Sequence, residues 1–214
     1  MNINKKIKLI FALCSSVTLS TTAFGITLSQ LDRSYDKLGF AYSTLDFSDL
    51  PGVDANALSV AWSSTGGSEK WVSGVGLSYT YIDAGVIDAD LLSTGFNLGY
   101  RVRLSDSAEL VPLIGFSYQN LSSGGWAVAD IWSVLYGVSA KYALSENTVL
   151  SASAIGQTGD LNSWSSEIDG LSVDSLAYGI SIEQFFNDNA SISLSYSTDH
   201  LGSSGVSLGF NMLH

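Results

Sequence analysis

Apolar and polar side chains alternate with a period of two along most of the chain beyond residue 25, the pattern of strands with two unlike faces. In residues 92–104, Leu92, Thr94, Phe96, Leu98, Tyr100, Val102 and Leu104 share one face. Ser93, Gly95, Asn97, Gly99, Arg101 and Arg103 share the other. Residues 132–142 repeat the design, with Trp132, Val134, Tyr136, Val138 and Tyr142 opposite Ser133, Gly137, Ser139 and Lys141. A soluble sandwich or lipocalin-like barrel also alternates, but it turns its large apolar side chains inward. Here the small face must be the interior, because placing it outside leaves the aromatics nowhere to pack. The bulky face then meets lipid.

The same alternation predicts further strands at 35–46, 56–64, 71–82, 110–121, 149–159, 174–186, 191–199 and 205–213. Each is near the length a tilted transmembrane strand needs. Ten antiparallel strands result, with an eight-stranded barrel, one hairpin lost or refolded, as the alternative. Short polar turns fall at 65–69, 105–108, 145–148 and 187–190, and longer loops at 47–55, 83–91, 122–131 and 160–173. That asymmetry predicts periplasmic turns, extracellular loops and an all-β, up-and-down transmembrane barrel over 35–214. Tyr42, Tyr81, Tyr118, Trp132 and Tyr178 fall toward one end of their strands. Trp71, Tyr100, Tyr142, Phe186 and Phe210 fall toward the other, as two interfacial belts require.

Composition supports a membrane reading. Charged residues make up 14% of the 214 residues, with 21 glycines and only two prolines, against roughly 25% charge in soluble chains. No apolar run beyond residue 25 approaches the ~20 residues of a spanning helix. In lipid every backbone N–H and C=O must pair within the protein, which leaves the closed barrel. Lys5, Lys6 and Lys8, an apolar stretch and small residues around Phe24 read as a secretory signal peptide over 1–25. Residues 26–34 are expected to form a periplasmic N-terminal segment. Cleavage removes Cys14, and with it thiol and disulfide chemistry. It also lowers nine Lys/Arg to six against 20 Asp/Glu, so the net charge moves from −11 to −14. That balance excludes a nucleic-acid partner, which demands a basic footprint.

The stretch 98–119, "LGYRVRLSDSAELVPLIGFSYQ", resembles the strand–turn–strand core of small outer-membrane barrels of the OmpA/OmpX type, and the last strand "GVSLGF" does so too. The resemblance implies an eight-stranded barrel or a slightly larger relative, inserted by the outer-membrane assembly machinery. The chain departs from the usual terminal aromatic by continuing past Phe210 as "NMLH".

Chemistry is sparse. Arg101, Arg103, Lys141 and Glu183 are predicted to point inward near the periplasmic end, where charges are costly unless paired or hydrated. A lumen network is expected in which Glu183 satisfies the basic residues, with help from Asn97 and Gln119. It reads either as a structural plug or as a gate across a narrow pore. The outer loops are expected to carry Asp83, Asp88 and Asp90, together with Asp49, Asp54, Asp130, Asp160, Glu167, Asp169 and Asp199, and no Lys or Arg. No calcium-loop spacing is present, so neither a metal nor a cofactor is expected. Asp199, His200 and Ser203 or Ser204 lie close in sequence, but the spacing carries no catalytic motif, and no catalytic residues are assigned. The expected protein is non-enzymatic and monomeric, with a structural or surface-interaction role. Its partners are membrane lipid, lipopolysaccharide and the assembly machinery. A narrow passive pore is the alternative, and a lipid A-modifying enzyme a third reading.

Overall fold

In a computed structural model of the chain, residues 37–47, 52–66, 68, 70–83, 88–124, 126–163 and 170–213 are described. The expected signal peptide and the segment 26–34 lie outside them. So do Asp49, Glu167 and Asp169. The described residues contain eleven β-segments and no helix: β1 (Lys37–Phe47), β2 (Asp54–Ser64), β3 (Trp71–Asp83), β4 (Asp88–Tyr100), β5 (Val102–Arg103), β6 (Ala108–Ser123), β7 (Trp126–Ser145), β8 (Thr148–Ser163), β9 (Leu171–Asn187), β10 (Ala190–Asp199) and β11 (Ser203–Leu213). β5 continues β4 after a break at Arg101, so the barrel has ten strands. Each strand pairs antiparallel with its neighbours, β4 and β5 both pair with β6, and β11 returns to β1 over an uninterrupted register. Closure leaves no free edge.

The break in the fourth strand has a local cause. Gly99 pairs with Leu113 and Val102 with Leu110, so the gap faces Pro112, which has no N–H to give. On its other side Arg101 keeps the ladder, donating its backbone N–H to the Lys70 carbonyl at 2.7 Å.

Following the register around the barrel shows its stagger. Glu109 on β6 faces Lys141, then Ser151, Ser181, Ser195, Ser207, Ser43, Ala57, Thr80 and Leu91 in turn. Leu91 faces Leu121, so the row returns to β6 twelve residues beyond its start. Twelve residues at about 3.3 Å, over ten strands at about 4.8 Å, tilt the strands by about 40°.

Parity follows the alternation read from the sequence. Phe96, Leu98, Trp132, Tyr136 and Val138 point outward and are exposed, while Ser93, Ser133, Ser139 and Lys141 are buried inside. On the outer face the Tyr136 ring lies over Gly156, its neighbour on β8, where a Cβ would sit 2.5 Å from the ring. Trp71 and Tyr100 stack edge to face at 5.0 Å at the tight-turn end, and Tyr118 and Trp132 meet at 4.7 Å toward the loop end. From Trp71 to Tyr81 along β3 the axial rise is about 25 Å at that tilt, the height of an outer-membrane apolar band.

The interior is not uniformly small, as the sequence suggested. Glycine, alanine and serine line much of its middle, with Leu135 and Ile155 among them, and further bulky apolar side chains turn inward near both ends. At the loop end Leu45, Phe47, Ile82, Leu91 and Leu121 pack with Ala55, Ala89 and Ala177 into one cluster. At the turn end Val149, Phe185 and Leu213 form a second. Alternation persists beyond the lipid-facing zone, so strands β6 to β9 run past the predicted limits, to 16, 20, 16 and 17 residues.

Candidate functional site

The turn end of the lumen gathers the buried charges. Arg101 reaches Glu109, directing Nε at 3.2 Å and Nη2 at 3.1 Å to the same carboxylate oxygen, Oε2. Lys37 reaches Glu183 Oε1 at 3.4 Å. That oxygen also accepts from the Ser191 hydroxyl and from Asn211 Nδ2 at 2.8 Å. Gly39 makes room for this arrangement: its Cβ, if present, would lie 2.6 Å from Asn211 Oδ1. All four charged side chains are nearly inaccessible to solvent. Such pairs tolerate burial only when hydrogen bonds complete them.

The four charges predicted for this network are placed as follows. Arg101, Lys141 and Glu183 are buried in the lumen, whereas Arg103 is exposed at its lip, in register with Glu109. Glu183 takes Lys37 as its ion-pair partner rather than Arg101, Arg103 or Lys141. Arg101 takes Glu109. Lys141 lies within electrostatic range of Lys37, Glu109, Glu183 and Arg101, yet its ammonium has no hydrogen-bond partner. Sequence reasoning missed Glu109 because it lies just before the strand limit drawn at 110, and Lys37 because no face was assigned to the residues that open the first strand. Extending the parity would have found them, since Lys37 shares its face with Gly39 and Glu109 with Val111.

Asn97 and Gln119 do not join the network. Asn97 lies over Gly74 and lines a cavity with Lys37, Ser59, Ser63, Ser193 and Asn211. About 50 Å³ of that cavity is open to the centres of water molecules, room for a few waters. Gln119 sits ten residues beyond Glu109 on β6, buried in a row with Ser93 and Ser78.

The acidic residues at the other end are on strands rather than in loops. Asp83 ends β3, and Asp88 and Asp90 belong to β4. Ala89 and Leu91 keep that hairpin's inner face apolar, while its outer face, at the edge of the apolar band, turns polar. Asp46 faces Asp54, Asp54 faces Asp83, and Asp83 faces Asp88, a row of four across β1 to β4. Two residues further along β4, Asp90 accepts a hydrogen bond from the Tyr79 hydroxyl at 2.5 Å. Among the described residues no three His, Cys, Asp or Glu side chains converge on a metal position.

Asp199 and His200 are engaged by the backbone. Asp199 Oδ1 accepts the Leu201 and Ser203 N–H groups at 2.9 and 2.8 Å, holding the β10–β11 turn. His200 Nδ1 accepts the Leu176 N–H at 3.0 Å. Together with the His200 N–H donated to the Leu176 carbonyl at 3.1 Å, that bond fastens the turn to the side of β9.

The closed ten-stranded sheet, its outward apolar band and its paired aromatic belts define a small transmembrane barrel of the outer-membrane type. No known protein family and no curated protein matches the sequence. Among solved structures, the chain is similar to the translocator domain of the autotransporter NalP from Neisseria meningitidis. That match has 11% identity and a TM-score of 0.51, over 98% of this chain and 96% of that one. Other matches are the β domain of the Bordetella autotransporter BrkA (12% identity, 84% and 99% of the chains, TM-score 0.49) and the KdgM porin (5%, 83% and 99%, 0.42).

Proposed function

We propose that the protein resides in the bacterial outer membrane as a closed, non-conducting monomer with a structural or surface-interaction role. Its tight turns face the periplasm and its loops the exterior. The observation that supports this reading is that side chains pack inside the barrel toward both of its ends. The apolar cluster around Phe47, Ile82 and Leu121 lies at the loop end, and the Lys37–Glu183 and Arg101–Glu109 pairs with Val149, Phe185 and Leu213 lie at the turn end. Small barrels fill their interiors with side chains in this way. Insertion by the assembly machinery and contact with lipopolysaccharide follow from that location. The backbone bonds of Asp199 and His200 favour a non-enzymatic role.

Planar-bilayer recording tests the reading: purified protein is expected to give no discrete conductance steps. Regular small steps would establish a narrow pore instead, with the charged end as its constriction. Lipid A mass spectra identical with and without the protein are expected, and any shift in acylation would reverse the assignment. Protease added to intact cells is expected to cut at the loop end alone.

A further inference from the structure

Lys141 is a buried ammonium with no acceptor. It is 3% exposed, on the inner face of β7. Directly opposite on β8 stands Ser151, 8% exposed, whose hydroxyl is also without a partner. The next residue in that row, Ser181 on β9, points inward as well. Two donors on adjacent strands therefore face the same part of the lumen, their Cβ atoms about 5 Å apart as cross-strand neighbours are.

The charge balance points the same way. Among the described residues the buried charges at this end are Lys37, Arg101 and Lys141 against Glu109 and Glu183. Lys37 and Arg101 are each matched to one carboxylate, which leaves Lys141 as the excess cation. Removing an ionised ammonium from water without a counter-charge is strongly unfavourable. Glu183 Oε2 is likewise unpartnered, yet no hydrogen bond joins it to Lys141.

We propose that Lys141 and Ser151 form an internal site for a small monovalent inorganic anion of about the size of chloride. One negative charge cancels the excess cation. The nearby carboxylates of Glu109 and Glu183 act against a divalent or bulky oxyanion by repulsion. A single-atom anion accepts from an ammonium and a hydroxyl at once without needing a shaped pocket. The bound ion acts as an internal counter-charge that completes the packing of the turn end. The inference goes beyond the closed-barrel reading and does not depend on whether the lumen conducts.

The test is equilibrium unfolding of the refolded full chain in liposomes, with sodium chloride exchanged for sodium gluconate at constant ionic strength. The wild type is expected to gain stability saturably with chloride, and with bromide in its place. Lys141→Met, which removes the buried charge, is expected to fold and to lose the chloride dependence. Ser151→Ala is expected to keep it with half-saturation at about tenfold higher chloride, the loss of one charge-assisted hydrogen bond. Crystals grown in bromide are expected to show an anomalous peak beside Lys141 Nζ. A wild type indifferent to the exchange overturns the proposal. An equal chloride response in the wild type and Lys141→Met, with no bromide peak, overturns it as well.

Discussion

Lys37 on β1 and Glu183 on β9 are held 3.4 Å apart inside the barrel, although β10 and β11 separate their strands. The pair ties the first strand to the ninth through the lumen, independently of the backbone ladder. Breaking it by Lys37→Met leaves the buried Glu183 carboxylate with its hydrogen bonds but without its ion-pair partner. The expected loss is about 3–5 kcal/mol, measured by urea unfolding in liposomes. Adding Glu183→Gln to that variant is expected to recover most of the loss. If the double variant is as unstable as the single one, the pair is not the reason.

Leu98 and Asn97 are adjacent in sequence and opposite in environment. Leu98 is exposed on the outer face, and Asn97 lines the cavity. Leu98 lies just inside the Trp71–Tyr100 belt, so Leu98→Arg is expected to cost about 1–2 kcal/mol, between the interfacial and midplane penalties of a charge facing lipid. Asn97→Arg meets Gly74 and a cavity with polar walls, so its cost is expected to be steric and insensitive to bilayer thickness. Comparing both in short-chain and long-chain lipids separates the two cases. A thickness dependence for Asn97→Arg would contradict the parity.

Tyr136 covers Gly156, so a side chain at 156 displaces the ring. Gly156→Val is expected to cost about 1–3 kcal/mol through overpacking. In a Tyr136→Ala background the same substitution is expected to be far better tolerated. A double-mutant cycle measures the coupling between the two positions. Additive losses would place the ring elsewhere.

Asp54 stands between Asp46 and Asp83 on the outer face, with Asp88 beyond. Like charges directly opposite on neighbouring strands destabilise a sheet. Asp54→Asn is therefore expected to raise the unfolding midpoint modestly at low salt. The gain is expected to shrink as salt shortens the screening length to a few ångströms. A fall in midpoint at low salt would mean that the row is held together by something other than its own side chains.

The alternation was enough to read ten strands, their faces and the antiparallel order, because lipid imposes the same rule on every outward position. Its limits came where that rule stops. Beyond the apolar band Asp88 and Asp90 look like loop residues, and only the inward Ala89 and Leu91 show that the strand continues. The lumen was harder still. Parity points Lys141 and Glu183 inward, where both are buried, but the choice of Lys37 for Glu183 and Glu109 for Arg101 depends on barrel stagger, which no single strand reveals. The gap at Arg101 was legible in hindsight from Pro112, a residue without an N–H in the middle of a strand.

The register row that starts at Glu109 and returns at Leu121 makes the inner wall a screw thread, with the ion pairs at its foot and the apolar cap one pitch higher. A deletion in the middle of any one strand changes that pitch for the whole circuit. It also turns half the strand inside out, carrying serines into lipid and leucines into the lumen. Loss of two residues keeps the faces but seats the foot and the cap out of step. Length variation in such a chain is therefore tolerated at the loops and turns, where the thread does not run. Within the strands the sequence is free to change its letters but not its count.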